Sequence, residues 1–265
     1  MRRLAGMMAL IVLLFAPGAR AQDTTAPARA ALTPTGTLRV ALLTLPHMAV
    51  RDPLTGQYKG VNPDLGRELA RRLGVTAEFI AVGSNIAAVD EIKGGRADVT
   101  FLVALPELTK QIDFGPAYIQ YETTFLVPAN SSIRSFSDVD RAELRVVAPA
   151  PSAIATEIGR RFKTAKLIGV PIATASARRV ADMLRNGEAD AYTNLTHLLS
   201  LAQPGLPDWR LLPGSYMTPV FSMGFAKDRP AGADYANRFI EDVKRDGFIE
   251  KAIARANLKG AAVAK

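Results

Sequence analysis

Cysteine is absent from all 265 residues. This excludes disulfides, thiolate nucleophiles, thiolate metal sites and a lipid-modified N-terminal cysteine. Histidine is scarce. His47 and His197 are the only two, far apart and without a carboxylate at ligand spacing, so no metal site is expected. Acidic residues are outnumbered by basic ones, 25 to 33, but the excess is scattered over Arg67, Arg71 and Arg72, then Arg178 and Arg179, then Lys244 and Arg245. A nucleic-acid surface needs a basic stripe interleaved with stacking aromatics. The pattern here is that of solvated helix faces, and no nucleic-acid partner is expected. Nor does the chain contain a P-loop, a G-x-S-x-G elbow or an H-E-x-x-H pair, so no cofactor is expected.

What is present begins with a leader. MRR is followed by the short apolar run LAGMMALIVLLFAPGA and by the small-x-small triplet Ala19-Arg20-Ala21, the three regions of a secretory signal peptide in order. Gly6 and Pro17-Gly18 interrupt the run, which is short for a membrane span. Cleavage after Ala21 would leave a periplasmic protein of about 240 residues, enough for one large or two small domains. Without Arg2, Arg3 and Arg20 the basic count becomes 30 against 25 acidic residues, a formal net charge of +5. Residues 22–35, rich in Ala, Thr and Pro without periodicity, read as a flexible linker.

From Gly36 the chain alternates. Leu38–Leu43 reads as a buried strand. Asn62 as N-cap, Pro63 and Asp64 open a helix carrying Leu65, Leu69 and Leu73 at spacing four, closed by Gly74. Val75–Val82 is the next strand, Ile86, Val89 and Ile92 mark a second helix, and Asp98–Leu105 is a third strand. Strand and helix alternating in this way imply a parallel sheet with crossover helices. The second half repeats the syntax, with strands at Leu144–Ala148, Leu167–Val170 and Ala189–Thr193, and helices from Ser152 and around Val180, Met183 and Leu184. Gly95-Arg-Ala-Asp98 and Gly187-Glu-Ala-Asp190 sit at matching places. In each, Gly ends a helix with a left-handed residue and the chain turns at once into a strand. Two α/β lobes follow. The strand-like runs Tyr121–Val127 and Val220–Ala226 are two crossings between them, hence a hinge, and hinged α/β lobes bind small ligands at the carboxyl ends of their strands.

The order and spacing of GTLRVAL (36–42), TGQYKGVNPDLGRELARRLGV (55–75), GGRADV (94–99), PELTKQIDFGPAY (106–118), SFSDVD (135–140) and GEADAY (187–192) resemble one family. It is that of the bacterial extracellular solute-binding proteins, family 3, the type II periplasmic binding proteins of ABC importers, many of them specific for polar amino acids. The resemblance implies a two-lobed α/β fold, each lobe a mixed, mainly parallel sheet flanked by helices, with a two-strand hinge. The expected boundaries are a signal peptide at 1–21, a linker at 22–35, lobe 1 at 36–125, lobe 2 at 126–222, a return to lobe 1 at 223–258 and a disordered tail at 259–265. It also implies a small-molecule ligand, an ABC permease in the inner membrane as partner, and a monomer without enzymatic activity. The alternatives are a dehydratase of the cyclohexadienyl type on the same scaffold, with Glu107 and Glu122 the nearest carboxylates, or an accessory periplasmic protein.

The resemblance breaks where such relatives hold an amino acid. Their Thr-Pro-Glu-Arg-like turn, whose Arg forks onto the α-carboxylate, reads Leu105-Pro106-Glu107-Leu108 here, after Ala104. The acidic position after the second Gly-x-x-Asp strand holds Asn194, and the helix-start loop is Pro151-Ser152-Ala153. A buried carboxylate without a cationic partner costs several kcal/mol, so an ordinary α-amino acid is not the expected ligand. The candidate ligand-binding residues are His47, Met48, Asn85, Ala104, Leu105, Leu108, Ser152, Ala153 and Asn194. Asn85 is either a helix cap or a cleft donor, and His47 either stacks on the ligand or lies in a surface loop. His197, Tyr118, Tyr121 and Trp209 read as structural.

Overall fold

Two β-sheets organise the chain in the computed structural model, which describes residues 25–45 and 48–265. The leader over 1–21 and the candidate His47 lie outside the described residues. In spatial order the first sheet runs Ala261–Val263, Asp113–Tyr121, Val220–Phe225, Val99–Leu102, Thr37–Leu43 and Thr76–Val82. Thr37–Leu43 is parallel to both neighbours, with Val40 opposite Val99 and Leu43 opposite Val82, and the remaining pairings are antiparallel. The second sheet runs Trp209–Leu211, Thr123–Pro128, Ala191–Leu195, Arg145–Ala150 and Lys166–Pro171. Its last three strands are mutually parallel and Thr123–Pro128 is antiparallel. This is the two-lobed type II periplasmic binding fold.

The helices form where apolar residues recur on one side. Val61–Leu73 buries Leu65, Leu69 and Leu73 completely, each gaining about 2 kcal/mol from leaving water. It starts one residue before the Asn62-Pro63 signal. Gly60, at φ +125°, makes a turn in which a Cβ would lie 2.7 Å from the Met48 carbonyl oxygen, so only glycine fits. Asn62 is therefore not the cap. It is buried, and its Oδ1 accepts the Tyr118 hydroxyl at 2.5 Å. The larger apolar core fills lobe 1 and continues through the hinge to one face of the second sheet, where Phe125, Val146 and Ala148 point. The alternate residues Leu126, Val147 and Tyr192 join a separate cluster on the other face, as the two-residue strand period requires.

The repeated phrase has a physical basis beyond its turn. Gly95 and Gly187 adopt φ +65° and +67°, and the Asp that follows grips an arginine at the start of a neighbouring strand. Asp98 accepts from the Arg39 backbone N–H (2.8 Å), Nε (3.0 Å) and Nη2 (2.7 Å). Asp190 accepts from the same three groups of Arg145 at 2.8, 2.9 and 3.0 Å.

Several sequence expectations are corrected. The segment read as a flexible linker contains a helix, Ala26–Leu32, with Ala28 and Leu32 buried. It is held by Arg29 Nε on the Leu73 carbonyl (2.7 Å) and Arg229 Nη1 on the Ala31 carbonyl (2.8 Å). Seven residues are too few to show a helical period, and tertiary docking supplies the stability. The tail read as disordered forms the edge strand Ala261–Val263. Ile86 is 63% exposed rather than on the buried face. The lobe boundaries shift as well: Thr123–Pro128 belongs wholly to the second sheet and Val220–Phe225 wholly to the first.

At the hinge the crossings pair, Thr123 N–H donating to the Met217 carbonyl (3.1 Å) and Tyr121 N–H to the Pro219 carbonyl (3.1 Å). The C-terminal segment joins them, since Glu122 N–H donates to the Gly260 carbonyl (2.7 Å) and Lys259 N–H to His197 Nδ1 (3.3 Å). His197, buried on the helix Thr196–Ala202, is thus structural and carries no proton on Nδ1. Burial, then the Lys259 charge, pushes its pKa below the ordinary value. The unfolded chain then binds the extra proton first as the solution is acidified, so the contribution is complete above about pH 6.5 and declines as pH falls below it. Thermal melts should show a Tm that falls from about pH 6.5 to pH 5, and a smaller fall in His197→Asn, whose side chain does not titrate.

Candidate functional site

The carboxyl ends of the parallel strands in both lobes converge on one cavity of about 400 Å³. Each lobe contributes equivalent loops. In lobe 1, Leu43 ends the first strand and Leu45 and Met48 follow it, Asn85 follows the second, and Val103 and Leu105 follow the third. In lobe 2, Ser152, Ala153 and Ile154 follow Arg145–Ala150, Ile172 and Ser176 follow Lys166–Pro171, and Asn194 and Leu198 come from Ala191–Leu195 and the helix after it. Phe221, on the return strand, and Pro219 close the hinge side. A crevice at strand carboxyl ends is where open α/β sheets accept ligands, and its size is within the range of small-molecule sites.

Six candidates come together on these walls: Met48, Asn85, Leu105, Ser152, Ala153 and Asn194. Two do not. Ala104 is exposed and outside the cavity lining. Leu108, expected in the cleft, is 1% exposed and belongs to the lobe 1 core together with Ile112. The short helix Pro106–Thr109 turns this side chain inward, because leucine gains more from dry packing than from a wet cleft wall. Glu107 and Glu122 are exposed and do not line the cavity. Tyr121 packs edge-on against Phe221 with ring centroids 5.4 Å apart, and Trp209 packs on the lobe 2 core.

Sequence reasoning missed Tyr192, Ser176, Leu198 and Phe221. A signal for Tyr192 existed, since a residue two before Asn194 on a strand shares its face.

The polar groups of the wall are mostly held by the protein itself. Ser152, the cap of the helix Ala153–Arg161, accepts from Ala155 N–H (3.1 Å) and donates to the Pro149 carbonyl (2.5 Å). Ser176 caps the helix Ala177–Arg185 by accepting from Arg179 N–H at 3.2 Å. Asn194 is buried, and its Oδ1 accepts Leu195 N–H at 2.8 Å. That contact fixes the amide, so Nδ2 must donate to the Tyr192 hydroxyl. Asn85 is not the cap of its helix, because Ser84 takes that role by accepting from Ala87 N–H. The Asn85 amide makes no side-chain hydrogen bond among the described residues. Tyr192 is also the only titratable side chain among the described lining residues, and burial raises its pKa against the pull of the Asn194 bond. It stays protonated at neutral pH. Among the described residues, no cluster of three His, Asp or Glu could hold a metal ion, and no helix is long and apolar enough to cross a membrane.

Residues 38–257 match the bacterial extracellular solute-binding proteins, family 3. No curated protein matches the chain at a significant level. Solved structures do. A protein of Wolinella succinogenes DSM 1740 complexed with lysine is 24% identical, with 83% of this chain and 95% of that chain covered at a TM-score of 0.71. The amino acid ABC transporter substrate-binding protein AbpA of Streptococcus pneumoniae, bound to L-arginine, is 20% identical over 85% and 96% of the two chains, at 0.69. An ancestral amino acid-binding protein, AncCDT-1, a precursor of cyclohexadienyl dehydratase, is 22% identical over 83% and 94%, at 0.67.

Proposed function

From its membership of the bacterial extracellular solute-binding proteins, family 3, to which this chain belongs, we propose that it is a periplasmic receptor. It captures a small molecule between its lobes and delivers it to an ABC permease in the inner membrane, acting as a monomer after removal of its leader. The observation that carries this reading is the cavity at the carboxyl ends of both sets of parallel strands, spanned by chain crossings that pair at a hinge. Closure about such a hinge is the way two lobes convert binding into a shape a permease can read. A dehydratase acting on a dicarboxylate needs cationic clamps and a positioned acid. The described lining offers Tyr192 alone, which favours the receptor.

The ligand is not an ordinary α-amino acid. No described lining residue is cationic, and Leu108, in the turn where relatives place an arginine, faces the core. Closing the lobes on an unpaired carboxylate would cost several kcal/mol. Isothermal titration with lysine, arginine, cysteine and the other standard amino acids should give no binding tighter than about millimolar, some 4 kcal/mol. Tight, charge-selective binding of any of them would refute the ligand assignment. Turnover of a prephenate-like substrate would refute the receptor.

A further inference from the structure

Resting on the receptor reading, we propose that the cleft is specific for an uncharged, largely apolar solute carrying a hydrogen-bond acceptor such as a carbonyl, amide or ester oxygen, and that Tyr192 reads that acceptor. Lobe 2 has used its strongest acceptors internally. Asn194 Oδ1 is taken by Leu195 N–H, the Tyr192 oxygen by Asn194 Nδ2, Ser176 Oγ by Arg179 N–H and Ser152 Oγ by Ala155 N–H. Each of these oxygens already accepts one bond, whereas three hydrogens on the same wall are not used by these bonds. Because Asn194 donates to it, the Tyr192 hydroxyl has its own hydrogen free; Asn194 retains its second amide hydrogen and Ser176 its hydroxyl hydrogen.

A wall of neutral donors suits a neutral acceptor. Neither an ammonium group nor a carboxylate would find a counter-charge among the described lining residues, and burying either one unpaired is costly. The rest of the surface is aliphatic and aromatic: Leu45, Leu105, Ile172, Leu198 and Phe221 surround the donors, so the body of the solute is apolar. Asn85, across the cleft on lobe 1, is the remaining polar side chain among the described lining residues and carries both a donor and an acceptor. It can bond a second uncharged group on the solute as the lobes close.

The test uses matched probes on the purified mature protein: 3-phenylpropanamide, 3-phenylpropanoate and 3-phenylpropylamine, with cyclohexyl and octyl counterparts. Titration calorimetry reads affinity, small-angle scattering reads closure, and native mass spectrometry reads any solute retained on purification. The amides should bind at least about tenfold more tightly than the matching acids and amines. Tyr192→Phe should weaken amide binding roughly three- to tenfold and narrow the preference for the amide over the matching acid. An acid or amine that binds best, or a charged retained solute, overturns this specificity and leaves the receptor standing. A neutral acceptor-bearing retained solute supports the specificity even if the probes are too small. No binding by any probe, no retained solute and no closure overturn the specificity and the receptor together.

Discussion

Asp98→Ala should lower stability by about 3–5 kcal/mol, whereas Asp190→Ala, at the equivalent place in lobe 2, should cost about 1 kcal/mol or less. The two carboxylates make the same three hydrogen bonds to an arginine backbone N–H and guanidinium. They differ in exposure. The Asp98 side chain is 1% exposed and Arg39 16%, against 30% for Asp190 and 39% for Arg145. Removing Asp98 leaves the Arg39 guanidinium its Nη1 bond to the Gly95 carbonyl (2.6 Å) but little water to replace the lost carboxylate; removing Asp190 leaves Arg145 free to hydrate. For a chain of this size the first change should lower Tm on the order of 10 °C and the second by a few degrees. Urea and thermal unfolding of both variants measure the difference. The double replacement Arg39→Met, Asp98→Leu should recover much of the loss, because the buried charge goes with its partner. Equal losses for Asp98→Ala and Asp190→Ala would show that exposure does not set the cost.

Leu198→Asp should cost the ligand-free protein about 1 kcal/mol of packing at the edge of the core and reduce solute affinity at least about a hundredfold, close to 3 kcal/mol. Leu198 is half-buried on the cavity wall. In the open state an aspartate there would remain hydrated. Closing the lobes around an apolar solute would strip that water with no described cation on the wall to compensate, and an ionised carboxylate then costs several kcal/mol. The larger penalty falls on closure rather than on folding. It should also relax under acid: protonating the introduced carboxyl removes the charge, so affinity should recover in part, by roughly tenfold, between about pH 7 and pH 5. Calorimetry of the retained solute, once identified, at both pH values reads this directly. Undiminished affinity at neutral pH would mean that the solute does not enter between the lobes.

Much of the architecture was readable because local patterns and tertiary placement agree. The spacing of Leu65, Leu69 and Leu73 gave a helix, and the paired Gly-x-Ala-Asp phrases gave two lobes. The reason for their Asp was not readable: its partner lies 59 residues away in lobe 1 and 45 in lobe 2. Yet Leu38-Arg39-Val40 and Leu144-Arg145-Val146 repeat as plainly as the phrase itself, and taken with it they point to the ion pairs. The N-terminal helix and the C-terminal strand escaped because each is short and stabilised by what it docks against. At the site, Asn194 and Ser152, read from strand ends, lie on the cavity wall, whereas Leu108, read from a family position, is buried in the core. Sequence position in a turn does not fix side-chain direction when the residue changes from a charged fork to an aliphatic one. Tyr192 was passed over because a tyrosine in an apolar strand reads as core. It does pack there, and it also lines the cavity.

The most direct test of a charge-free cleft is a crystal structure of the closed protein holding the solute it retains from its native host. The account predicts an uncharged molecule with an oxygen within hydrogen-bond reach of the Tyr192 hydroxyl or the Asn194 amide, and apolar side chains around the remainder. A bound carboxylate clasped by an arginine guanidinium would contradict it.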